Sequence, residues 1–165
     1  MMILSNGWLL DSTYIMPFFG INVSILNIKK DLARVLSTNP GKIFLTTCSL
    51  IEAKWKAFRN YLKSGDKSYL ERANYALDSF QQNKYLTLID AWFVRNASKW
   101  ADQLLIEGHQ DYMDCWIAGT AKAKNLVLVS EDQPLCKLIG KLESWQSFTY
   151  IDWTKFIKVD LTHEL

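Results

Sequence analysis

Residues 112–132 read YMDCWIAGTAKAKNLVLVSED, and this stretch decides the fold. Its first part, Tyr112–Ala123, has helical character. Ile117, Ala118 and Ala121 stand at i+3, i+4 and i+7 from Asp114, the spacing of one helix face. Its second part, Leu126–Val129 (LVLV), is a short apolar run that reads as a strand. A helix feeding a strand is half of a repeating α/β pattern, and the rest of the chain continues it.

Four more apolar runs read as strands: Trp8–Leu10 after the Asn6-Gly7 turn signal, Lys42–Thr47 (KIFLTT) after Asn39-Pro40-Gly41, Leu86–Ile89 (LTLI) and Phe148–Ile151 (FTYI). Helical segments fall at roughly 27–37, 50–63, 69–82, 91–107 and 134–142. Alternating strands and amphipathic helices predict a parallel sheet covered by helices on both faces. Ser49-x-x-Glu52 and Ser68-x-x-Glu71 fit capping boxes, and Ser64-Gly65 fits a helix stop. The tail after Asp152 is expected to add an edge strand or extension. No repeat, low-complexity tract or linker divides the 165 residues, so residues 1–165 are expected to form one domain.

Composition excludes several functions. A formal charge of +2 is too small to argue for nucleic acid by itself, so any basic surface has to be local. Cys48, Cys115 and Cys136 are scattered and suit reduced thiols rather than a disulfide framework. The opening residues lack the pattern of a signal peptide, and no apolar run is long enough to cross a bilayer. A soluble, cytoplasmic protein is the expectation. The two histidines, His109 and His163, make neither an HExxH nor a Cys/His zinc pattern, and a histidine-pair ribonuclease is not expected. Chemistry is expected to rest on carboxylates.

In an open parallel sheet, ligands bind beyond the carboxyl ends of the strands. Asp11 follows the first strand, Asp132 lies just past Leu126–Val129, and Glu52 is in the first turn after Lys42–Thr47. Asp114 lies on the apolar stripe of its helix, where a charge is costly unless paired or bound to a metal. Plainer readings stand beside these. Asp114 can complement the helix dipole, Glu52 can complete its capping box, and Asp11 and Asp132 can cap the segments they precede. Asp90 fits a cap before Ala91 best of all and is left out of the site.

Together these segments resemble the PIN-domain family, and within it the ribonuclease toxins of the VapBC toxin–antitoxin type. The matching residues are Leu9-Leu10-Asp11-Ser12-Thr13, Ser49-Leu50-Ile51-Glu52-Ala53, Asp114 through Ala121, and Leu126 through Asp132. They run in order over about three quarters of the chain. Ser130 stands where threonine is commoner in that family, and the aromatic-rich segments 92–100 and 145–153 extend beyond the compact toxins.

The resemblance implies a three-layer α/β/α domain with a central, mainly parallel five-stranded sheet. It implies a metal-dependent endoribonuclease with Asp11, Glu52, Asp114 and Asp132 as both metal ligands and catalytic groups. It also implies a small antitoxin partner and a homodimer. Carboxylate oxygens suit Mg²⁺ or Mn²⁺, and four clustered acids need a cation to relieve their repulsion. Ser12 and Ser130 are expected to orient the ligands. Lys56 and Arg59 share a helix face with Glu52 and are candidates to grip RNA phosphates. An ordinary solvated face with a Glu–Lys pair is the equal alternative. A PIN-type RNA-processing nuclease without an antitoxin, or a catalytically silent RNA- or protein-binding scaffold, would use the same fold. A haloacid-dehalogenase-like phosphatase would want an acid where Thr13 stands.

Overall fold

A computed structural model describes residues 6–161, with side chains described through residue 158. Five strands, β1 (Trp8–Leu10), β2 (Ile43–Thr46), β3 (Leu86–Ile89), β4 (Val127–Val129) and β5 (Tyr150–Ile151), form one sheet in the order β3-β2-β1-β4-β5. Every neighbouring pair is parallel, so the sheet is wholly rather than mainly so. Between strands run α1 (Ile28–Thr38), α2 (Thr47–Ser64), α3 (Ser68–Gln81), α4 (Ala97–Ile106), α5 (Tyr112–Ala123) and α6 (Gln133–Ile139), and α7 (Trp153–Leu161) follows β5.

Strand alternation separates the layers. Leu10, Ile43, Leu45 and Val129 face a core built with α1, α2, α3 and α7. Their strand neighbours Leu9, Phe44 and Leu128 face the other core, built with α4, α5 and α6. Because successive side chains point to opposite faces, a strand apolar at every position serves two cores at once, which is why LVLV carries no polar residue.

The chain builds β1, β2 and β3 outward on one side, then crosses to β4 and β5 on the other. The reversal falls between β1 and β4, and such a switch point opens a crevice at the carboxyl ends of the two strands. Asp11 follows β1, and Ser130 through Asp132 follow β4.

Several local expectations are corrected. The tail after Asp152 forms α7, not an edge strand: Trp153 and Phe156 sit on its buried face in the first core, where Trp153 stacks on Tyr14. The segment 91–107 is not one helix. Asp90 caps a 3-10 turn at Ala91–Phe93, Asn96 then takes a left-handed conformation (φ 70°), and only then does α4 begin. Residues 134–142 likewise divide, α6 ending at Ile139. α2 starts earlier than expected. Thr46 is its N-cap and accepts from the Ser49 amide (3.1 Å), so Ser49-x-x-Glu52 is not a capping box and Glu52 has no capping duty. Ser68-x-x-Glu71 is not one either: the Asp66 carboxylate accepts from both the amide and the hydroxyl of Ser68. The stop at Gly65 stands, with φ 71° in the left-handed region that glycine favours.

α4 and α5 pack backbone to backbone. A Cβ added at Gly119 would lie 2.5 Å from the Ala97 carbonyl oxygen and 2.9 Å from the Ala101 nitrogen. Neither atom can move without shifting α4. Gly119→Ala is therefore expected to lower stability by about 1–3 kcal/mol through overpacking, more than the roughly 1 kcal/mol that alanine adds to helix propensity. A thermal melt checks this. An unchanged or higher melting temperature would mean that α4 slides away freely.

Candidate active site

Asp11 ends β1 with its amide donating to the Val129 carbonyl across the sheet (3.0 Å), so the β1–β4 pairing fixes where its carboxylate goes. That carboxylate is 5% exposed as a residue and is held at both oxygens. The Ser130 hydroxyl donates to Oδ2 (2.9 Å), and the Ser12 amide and hydroxyl donate to Oδ1, the hydroxyl at 3.3 Å. Ser130 Oγ also accepts from the Asp132 amide (3.1 Å), tying the loop after β4 to Asp11. Ser12 and Ser130, the two hydroxyls expected to orient site ligands, both contact the Asp11 carboxylate. Burial raises the Asp11 carboxyl to about 6; the Ser130 bond opposes this, the Glu52 charge adds to it, and the Ser12 bonds again oppose it.

Three consecutive residues after β4 divide their work. Glu131 turns inward to the fold: its Oε1 accepts from the Tyr14 hydroxyl (3.1 Å) and from the Trp153 amide (2.8 Å), fastening α7. Asp132 caps α6, its Oδ1 accepting from the Leu135 amide (2.9 Å). Its other oxygen, Oδ2, is left to face the crevice. Asp11 and Asp132 thus both cap the segments they precede, as the plainer reading of each expected.

Asp111 and Asp114 separate cleanly. Asp111 is the N-cap of α5, accepting from the Met113 and Asp114 amides at 2.9 and 3.2 Å. Asp114, in the first turn, points inward. Its carboxyl is pushed up to about 9, chiefly by burial, then by the charges of Asp11, Asp111 and Glu52, and by a hydrogen bond with Asp132. The same influences show that all four sequence-selected acids share one neighbourhood. Glu52 reaches it from α2, where its Oε1 pairs with Lys56 at 2.5 Å, while Oε2 is buried with no hydrogen-bond partner. Lys56 is thus engaged in the i,i+4 pair anticipated as the plainer alternative; Arg59 is exposed on the same helix. Asp90 stays outside, capping the turn at Ala91 through the Trp92 amide (3.2 Å).

His109, which fits no histidine motif in the sequence, lies beside the acids. Its Nε2 lies 3.5 Å from Asp132 Oδ2 and 3.7 Å from Asp114 Oδ2, and its side chain is 8% exposed. The imidazole therefore stands beside two of the four expected acids. The signal was present but short: Gly108-His109-Gln110-Asp111 joins a helix stop to a helix cap, and such a tight turn delivers its residues to the start of the next helix. Of the other aromatic material, Trp145 and Trp153 fill the cores, whereas Trp92 and Phe93 are exposed.

All three cysteines are free thiols, and among the described residues no helix is long and apolar enough to cross a membrane.

No protein-family model and no curated protein matches the sequence. Solved structures do. A chain of DNA-bound VapBC from Salmonella typhimurium superposes with a TM-score of 0.62 at 16% identity, over 89% of this chain and 98% of that one. VapBC2 from Rickettsia felis, bound to a promoter DNA fragment, gives 0.59 at 18% identity over 88% and 98%. VapBC-1 from nontypeable Haemophilus influenzae gives 0.57 at 21% identity over 89% and 98%. The chain has the fold found in these VapBC complexes, the same group of proteins that its four sequence motifs resemble.

Proposed function

We propose that the protein is a divalent-metal-dependent endoribonuclease, the toxin of a type II, VapBC-like toxin–antitoxin pair. One observation carries the chemistry. Asp11, Glu52 and Asp132 all act on the Asp114 carboxyl, by charge or by hydrogen bond, and Glu52 Oε2 is buried without a hydrogen-bond partner. Buried carboxylates crowded this closely either hold protons or take a counterion, and when ionised their oxygens suit Mg²⁺ or Mn²⁺. Asp11, Glu52, Asp114 and Asp132 would hold it. A divalent cation there supplies Lewis-acid activation of a phosphodiester and a nucleophilic water at neutral pH.

The remaining work falls to the chain. Ser130 and Ser12 keep Asp11 in one orientation, so no rotamer has to be selected as substrate arrives. Asp111 fixes the first turn of α5 and so the direction of Asp114. Lys56, drawn to the crevice mouth by Glu52, and exposed Arg59 offer positive charge to the RNA backbone, which suits a chain whose overall charge is near neutral. A small antitoxin partner belongs to this reading because several structures that share the fold are VapBC complexes; the homodimer belongs to it through the family resemblance of the four motifs.

The test is cleavage of RNA by the purified chain. Cleavage is expected with Mg²⁺ or Mn²⁺, to be lost in EDTA, and to leave 5′-phosphate and 3′-hydroxyl ends. Full activity in EDTA, or 2′,3′-cyclic phosphate as the main product, would reject this chemistry. Co-purification of a small protein that suppresses cleavage would favour the toxin over an RNA-processing enzyme.

A further inference from the structure

The turn between α4 and α5 holds His109 in a way that local sequence does not require of a surface loop. α4 ends with the Gly108 amide donating to the Leu105 carbonyl and the His109 amide donating to the Leu104 carbonyl, both at 3.0 Å. This is the paired closure of a helix by a left-handed residue, and Gly108 supplies that residue at φ 104°. Two residues later the Asp111 cap opens α5. His109 and Asp114 are therefore fixed by back-to-back caps on two helices that touch through Gly119.

The imidazole is directed into the acid cluster. Its Nε2 has no hydrogen-bond partner although it is buried, and the side chain is 8% exposed. Leaving a buried nitrogen without a partner costs about 1–3 kcal/mol. One donor atom from each of His109, Asp114 and Asp132 lies within 4.8 Å of the other two. An octahedral ion with ligands at about 2.1 Å places opposite donors roughly 4.2 Å apart and adjacent ones roughly 3 Å. The His109 separations of 3.5 and 3.7 Å fall inside that range.

We infer that His109 is a nitrogen ligand of the crevice metal, sharing one ion with Asp114 and Asp132. This rests on the metal-nuclease reading and deepens it, since a mixed N/O donor set shifts preference from Mg²⁺ toward the later transition ions that imidazole favours. The Asp11 and Glu52 carboxylates, which also act on Asp114, keep the oxygen character needed for hard ions.

Pulsed EPR of the full chain loaded with Mn²⁺ alone tests the assignment. Imidazole ¹⁴N modulation is expected in the wild type, unchanged in His163→Gln and absent in His109→Gln. Since the chain has only two histidines, the wild type and His163→Gln together assign the nitrogen even if His109→Gln does not fold. Competition titrations add a second readout: the Ni²⁺-over-Mg²⁺ affinity ratio is expected to fall about tenfold or more in His109→Gln. Mn²⁺ bound without ¹⁴N modulation, or modulation that survives in His109→Gln, overturns the ligand role while leaving the metal nuclease standing. A chain that binds no Mn²⁺ at all overturns both.

Discussion

Asp11→Asn is expected to remove metal-dependent RNA cleavage by about a thousandfold, roughly 4 kcal/mol of transition-state stabilisation, while the fold survives. The substitution is gentle on structure. Asparagine keeps an oxygen to accept from the Ser12 amide, and its amide group meets the Ser130 hydroxyl, which can turn from donor to acceptor. What is lost is the charge of a carboxylate buried at the end of the central strand. Cleavage rate and a thermal melt, measured on the same preparation, check both halves. Cleavage near the wild-type rate would mean that Asp11 serves only as the cap of the turn at Ser12.

The second large effect is on stability and depends on pH. The Asp11 and Asp114 carboxyls are raised from the ordinary value of 3.8 to about 6 and about 9, in each case chiefly by burial. Both bind their protons more tightly folded than unfolded. Their contribution is complete below about pH 4 and is lost as pH rises through about 6 for Asp11 and about 9 for Asp114. Without metal, the protein is therefore expected to melt at a lower temperature at pH 8 than at pH 5.5. Asp114→Asn should flatten this dependence and raise the melting temperature at pH 8 by several degrees, while abolishing cleavage. Asp111→Asn should leave activity and stability nearly intact, since asparagine caps a helix as well as aspartate does.

Mn²⁺ at about one hundred times its Kd adds about 2.7 kcal/mol, roughly 5–10 °C in a domain of this size. It should do so most at high pH, where the carboxylates are ionised. Melting curves at two pH values, with and without Mn²⁺, measure all of this. A metal-free protein more stable at pH 8 than at pH 5.5 would show that the cluster is not held together as described.

These two results concern groups that stability alone would not retain. Four acids drawn together oppose folding, and the surrounding caps and serine hydroxyls hold them in place against that repulsion.

Local physics was legible in the sequence. The apolar runs at Trp8–Leu10 and Leu126–Val129 mark strands because a strand between two helical layers has no polar face to show, while Leu86–Ile89 at the sheet edge exposes Thr87. Tyr112–Ala123 is bounded as read because Asp111 caps it and its apolar stripe follows the helical period. Connectivity then put Asp11 and Asp132 at the same edge of the sheet. What lay beyond the sequence was decided by contacts between distant segments. Whether Ser49 or Thr46 caps α2 depends on where β2 stops pairing with its neighbours, and so does Glu52's freedom to face the crevice. The tail became a helix because Trp153 and Phe156 found the first core and Glu131 received the Trp153 amide. His109 joined the acids only because α4 and α5 close on each other at Gly119, bringing a turn that looks like surface loop against the end of β4. A hydrophobic period fixes which way a side chain faces within its own element. Which groups meet across elements is set by packing: the helix closure at Gly108 and the cap at Asp111 hold the turn that brings His109 beside Asp132.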